Sequence, residues 1–107
     1  MSANRGKVLL AFLVLTSGLG CHRKVQHSVT LNWQPSKPSA GVRVVGYNVY
    51  RRVKEEGGFA RLATQVPGPP YEDHLVTSGR TYVYAVTAVD QSGRESRLSE
   101  QVQATIP

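Results

Sequence analysis

Cys21 is the sole thiol of a 107-residue chain, and its chemistry is that of a nucleophile open to covalent attachment. One cysteine excludes a disulfide within the chain and a four-cysteine zinc site. Groups able to move a proton are few: His22, His27 and His74, with seven Asp and Glu residues. Asp73 and His74 are adjacent, and neighbouring residues of a strand point to opposite faces. Neither can therefore orient the other as an acid–base pair requires; both read as solvated strand-end residues. His22 and His27 lack the close spacing of a zinc pair and have no carboxylate beside them. Glu55 and Glu56 share a turn-forming stretch, whereas paired catalytic carboxylates must face each other across a cleft. Neither a phosphate-cradling glycine loop nor a nucleophile elbow occurs. The sequence thus predicts no catalytic residue, no metal site and no cofactor.

Binding is the chemistry that remains. Asn48, Tyr50 and Arg52 fall on one side of an alternating segment, and Val83 and Ala85 on the corresponding side of another. These five are expected to share the exposed outer face of one sheet. A Tyr beside an Arg can stack on a sugar or anchor a protein contact. The same pair can also cover a sheet face with no ligand at all. Arg94, in the turn Gly93-Arg94-Glu95, completes the possible ligand surface.

The elements that must carry these residues are strands. From Val25 onward the apolar residues are mainly Val and Tyr, types that suit a pleated, half-buried surface, with only four Leu. HSVTLNW alternates Val29, Leu31 and Trp33 against Ser28, Thr30 and Asn32. VGYNVYRR places Val45, Tyr47 and Val49 on one face. TYVYAVTAVD aligns Tyr82, Tyr84, Val86 and Ala88, and the last segment aligns Val102, Ala104 and Ile106. Between them lie loops marked by Pro35, Pro38 and Gly41, by Lys54 to Gly58, by the prolines of VPGPP and by QSGRES. Six or seven short strands with turns every eight to twelve residues predict an antiparallel β-sandwich. A small barrel would need more even strand lengths.

The first twenty residues read as an address. Arg5 and Lys7 precede eight consecutive apolar residues, Val8 to Leu15, followed by Ser17, Gly18 and Gly20 before Cys21. That is the layout of a secretory signal, and the run is short of the ~20 apolar residues of a membrane span. Gly18-Leu19-Gly20-Cys21 resembles the lipobox of bacterial lipoproteins, although Gly18 stands where a branched apolar residue is usual. The resemblance implies cleavage after Gly20 and acylation of Cys21. The partner is then a membrane, reached through the N-terminal lipid, at the cell or outer membrane. The predicted boundaries are 1–20 signal, 21–26 tether and 27–107 domain. The net charge of +6 becomes +4 without Arg5 and Lys7, with 11 basic residues facing 7 acidic ones. Arg23 and Lys24 beside the anchor favour anionic lipid. Nucleic acid is a poor partner, since no aromatic–basic platform is evident.

HSVTLNW, GYNVYRR, YEDHLVTSGRTYVYAVTAVDQSGRES and QVQATIP together resemble a bacterial fibronectin type III domain over roughly residues 26–107. The resemblance implies an immunoglobulin-like sandwich with Trp33, Tyr47 and Tyr82 as structural core residues. Tyr82 stands where the family has its tyrosine corner, a hydroxyl bonded to upstream backbone. Only His22 to Gln26 separate Cys21 from HSVTLNW, so the family's first strand is expected to be short or absent. The edge of the HSVTLNW strand would then be free for strand addition. The anchor would hold that pole to the membrane, with residues 34–44 and 90–97 facing outward. The implied role is a lipid-anchored, non-catalytic module binding an envelope protein, or alternatively a carbohydrate-binding accessory module. The Arg-Gly-Asp of some animal relatives is absent from the 90–97 turn, so no integrin binding is carried over.

Overall fold

The computed structural model describes residues 9–17, 27–35 and 41–107. Seven strands follow one another: β1 Leu9–Ser17, β2 His27–Gln34, β3 Val44–Val53, β4 Ala60–Val66, β5 Tyr71–Asp73, β6 Thr81–Asp90 and β7 Val102–Thr105. They form two sheets, ordered β1-β2-β5 and β4-β3-β6-β7, and every paired neighbour is antiparallel. This is the all-β antiparallel sandwich that the alternating residues predict, in the immunoglobulin-like form that the resemblance implies.

Period-two alternation sends one row of each strand between the sheets. Val29, Leu31 and Trp33 of β2 meet Tyr47 and Val49 of β3 and Tyr82, Tyr84, Val86 and Ala88 of β6. Ala104 and Ile106 close the end of this core. Trp33 and Tyr47, one from each sheet, meet edge to face with ring centroids 5.4 Å apart, a favoured geometry for two quadrupoles. Fully buried Leu31, Val29, Val49 and Val86 each contribute about 1.5–3 kcal/mol of apolar burial. The Tyr82 hydroxyl accepts from the Thr77 backbone N–H at 2.9 Å, which is the tyrosine corner.

The first strand departs from expectation. Instead of being short or absent, β1 is nine residues long and pairs with β2 from Ser17↔His27 to Leu9↔Gln34. An unbroken apolar run satisfies a period of two as readily as it satisfies a signal peptide. Its register accordingly sets Leu15 opposite Val29, Leu13 opposite Leu31 and Leu10 opposite Trp33. In the full chain the β2 edge is therefore covered, not free for strand addition. Cys21, with the cleavage, acylation and tether expected around it, lies outside the described residues.

At one pole the loops before β3 and after β6 are joined. The Arg43 N–H donates to Gln91 Oε1 at 2.7 Å, and Gln91 returns bonds to the carbonyls of Arg43 and Gly41 at 3.0 and 2.8 Å. The two loops expected to share a pole do so over their described residues. Past this turn the chain runs back along β6 without forming a regular strand, and serines complete the ladder. Ser96 Oγ accepts from the Ala88 N–H and Ser99 Oγ from the Val86 N–H, each at 2.9 Å.

Candidate functional site

The β3–β4 hairpin builds the surface on which the candidate residues stand. Its turn closes with the Glu56 N–H donating to the Val53 carbonyl at 2.9 Å. Register places Tyr50 opposite Arg61, and two guanidinium–ring pairs result. Arg61 lies over the Tyr50 ring, 5.8 Å from its centroid, and Arg52 over Phe59 at 5.3 Å. Tyr50, Arg52 and Phe59 are half-buried and Arg61 is exposed. Guanidiniums over ring faces are held by the ring quadrupole, most strongly where water is partly excluded.

Beside this face Glu95 gathers three donors. Its Oε2 accepts from Asn48 Nδ2 at 2.9 Å, from Thr87 Oγ1 at 2.8 Å and from the Tyr50 hydroxyl. Arg61 Nη2 stands 3.9 Å from the other oxygen. Partial burial pushes the carboxyl's pKa up, but the bonds from Tyr50, Asn48 and Thr87 and the Arg61 charge outweigh it. The result is a pKa below the ordinary glutamate value. Glu95 is therefore an ionised hub that fixes the Tyr50 hydroxyl.

Asn48 does not present itself to a ligand. It is 5% exposed, and while Nδ2 serves Glu95, Oδ1 accepts from the Gln65 backbone N–H at 2.9 Å. Gln65 is held at φ 51° in a β4 irregularity. Gly46 permits the approach, since a Cβ there would sit 3.1 Å from the Gln65 Cα. Val83 and Ala85, expected to be exposed, are 2% and 0% accessible. They stand opposite Arg52 and Tyr50 in the β3–β6 register, on a strand flanked by β3 and β7, where a long side chain beside a short one can cover it. The face expected to be open at Asn48, Val83 and Ala85 is thus open only along its Tyr50 and Arg52 margin.

Arg94 belongs to a different unit. Asp90 Oδ1 accepts from the N–H groups of Ser92 and Arg94 at 2.9 and 3.0 Å and from Ser92 Oγ at 2.7 Å. These bonds, the Ser92 hydroxyl first, lower the Asp90 pKa. The Arg94 side chain extends into solvent with Nε 3.9 Å from Asp90 Oδ2. Among the described residues no hydrogen bond or ion pair links it to Tyr50 or Arg52.

One arrangement escaped the sequence reading. Asp73, expected to be solvated, is 2% exposed. Its Oδ2 accepts from Arg51 Nη1 at 2.8 Å and the Tyr84 hydroxyl at 2.6 Å, and its Oδ1 from the Leu75 N–H at 3.0 Å. Arg51 also donates to the Leu75 carbonyl at 3.0 Å and lies over the Tyr82 ring. Burial, then the bond to the Asp73 carboxylate, pushes the Tyr84 phenol far above its ordinary pKa. The signal was present: alternation from Tyr47 and Val49 puts Arg51 on the inward row, where a charge needs a partner. His74 turns the other way, to exposed Glu72 at 3.0 Å. Among the described residues no group of three or more His, Cys, Asp or Glu is placed to hold a metal ion.

The family model described as "Fibronectin type III domain SaeA third domain" matches residues 22–107. An amylopullulanase of Thermoanaerobacterium saccharolyticum is 40% identical over 87 residues, 81% of this chain and 6% of that protein. Chitinase A1 of Niallia circulans is 37% identical over 76 residues, 71% of this chain and 10% of that one. The chain therefore spans a small fraction of these curated relatives. A solved Fn3-like protein from Clostridium thermocellum superposes with a TM-score of 0.61 at 28% identity, covering 92% of this chain and 94% of its own.

Proposed function

The chain belongs to the fibronectin type III family, and from that premise we propose a non-catalytic binding module of the cell envelope, tethered by a lipid on Cys21. The observation that carries the reading is one of proportion. Its 40% identity to an amylopullulanase covers most of this chain but 6% of that protein, the share of one accessory domain. The side chains agree with such a role. Asp73 and Glu95 are each engaged by several donors, and a committed acceptor makes a poor general base. The partner is an envelope protein or a glycan. The names of the relatives, amylopullulanase and chitinase, favour a second reading, a carbohydrate-binding accessory module.

Mass spectrometry of the N-terminus of the chain recovered from membranes tests the tether. The expected species begins at Cys21 and carries the mass of a diacylglyceryl group. An unmodified Cys21 overturns the anchor.

A further inference from the structure

The outer face of the β3–β4 hairpin is a checkerboard of two guanidiniums and two rings. Tyr50 and Arg52 stand on β3, with Arg61 on β4 and Phe59 just before it. Each arginine covers the ring of the neighbouring strand. This changes what the surface can bind. With a guanidinium over each, Tyr50 and Phe59 each have one face occupied. A guanidinium is itself a planar fork of N–H donors that fits a carboxylate.

The charges on this face are incompletely neutralised. Arg52 Nη1 donates to the Lys54 carbonyl at 3.2 Å, and among the described residues no carboxylate pairs with it. Arg61 reaches Glu95 only at 3.9 Å, through the oxygen that does not serve Asn48, Tyr50 and Thr87. Lys54 is exposed beside them, and of the two turn carboxylates Glu56 is drawn to Arg80 at 3.7 Å. Diagonal neighbours on adjacent strands lie about 7–8 Å apart. Arg52 and Arg61 are such diagonal neighbours, since Arg61 stands opposite Tyr50, so one acidic chain can reach both.

The geometry points to this face as a binding site for an acidic polysaccharide, with Arg52 and Arg61 contacting its carboxylates and Tyr50 and Phe59 holding the guanidiniums in place. The assignment rests on reading the chain as a binding module, and the two can fail separately. The test is retention of the full chain on polygalacturonate, on the same polymer fully methyl-esterified, and on neutral starch and chitin. Binding to the free acid alone is expected, weakening with salt. Arg52→Gln and Arg61→Gln should each weaken it about tenfold, the loss of one charge-assisted bond. The double variant Arg43→Gln/Arg97→Gln, which removes twice the charge of either single variant but elsewhere, should bind as the parent does. Equal retention on acid and ester, or an equal loss in the Arg43/Arg97 control, overturns the site. Retention on starch or chitin without polygalacturonate overturns it and leaves the carbohydrate-binding reading standing, whereas retention on none overturns both.

Discussion

Arg51 and Asp73 tie one sheet of the sandwich to the other: Nη1 of the β3 residue lies 2.8 Å from Oδ2 of the β5 residue. The two ends differ in exposure, with the arginine side chain 23% accessible and the carboxylate 1%. The pair is thus a charge sealed into the core and answered from its rim, with Tyr84 as the third member.

Removing the answer should cost more than removing the whole network. Arg51→Met leaves the Asp73 carboxylate buried with only Tyr84 and the Leu75 N–H, and should destabilise by about 3 kcal/mol. The triple variant Arg51→Met/Asp73→Leu/Tyr84→Phe leaves no charge uncompensated and should recover most of that loss. Urea unfolding of the parent and both variants checks the order, and a triple variant less stable than the single one would refute the account.

The tyrosine corner makes a narrower claim. Tyr82→Phe keeps the ring in the core and the cation contact with Arg51, but leaves the part-buried Thr77 N–H without its acceptor. The expected loss is about 1–2 kcal/mol, a fall in Tm of roughly 4–8 °C for each kcal/mol in a domain of this size. Calorimetry reads it directly. An unchanged Tm would mean that the bond is replaced by water.

Acid should act through Glu95. Its folded pKa lies below the ordinary 4.5, so its contribution is fully present above about pH 4.5 and is lost as pH falls through the lowered folded value. Asp90, also lowered, acts in the same direction at the β6 turn. Glu95→Gln removes the titrating group, so its Tm should fall less steeply than the parent's below pH 4.5. Parallel melting curves across that range would show that Glu95 does not couple folding to pH.

Alternation identifies most of the core, although the irregularity between Val44 and Gly46 turns Val45 outward, 44% exposed, instead of inward with Tyr47 and Val49. Trp33, Tyr47, Val49, Tyr82 and Tyr84 are read inward from the sequence and lie inward in the fold. Which outer-face residues stay exposed was not legible. Alternation assigns Asn48, Val83 and Ala85 to a side, but Asn48 is engaged by Glu95, which is remote in sequence, and Val83 and Ala85 lie on a strand flanked on both sides. The Asp73 network was half legible. The inward position of Arg51 follows from the pattern, but its partner 22 residues away depends on how the sheets stack. Continuous apolarity was the least informative signal. Val8 to Leu15 fits a signal segment and a strand equally, since no polar residue fixes either period.

That double reading yields the last prediction. β1 pairs along the whole length of β2, so export with cleavage before Cys21 would remove the strand that covers the β2 edge. The five residues from His22 to Gln26 are too few to turn and re-cover an eight-residue strand, given about 3.3 Å of rise per residue and a turn to complete. In the uncleaved chain the β2 amides facing β1 should exchange slowly with deuterated water. In the chain recovered from membranes the same amides should exchange faster, while β3 and β6 remain protected by their own neighbours. An open edge also invites pairing with another strand, so the recovered form should self-associate as its concentration rises and the uncleaved form should not. Equal protection of β2 in both forms, with no concentration dependence, would show that β1 contributes nothing to the sheet.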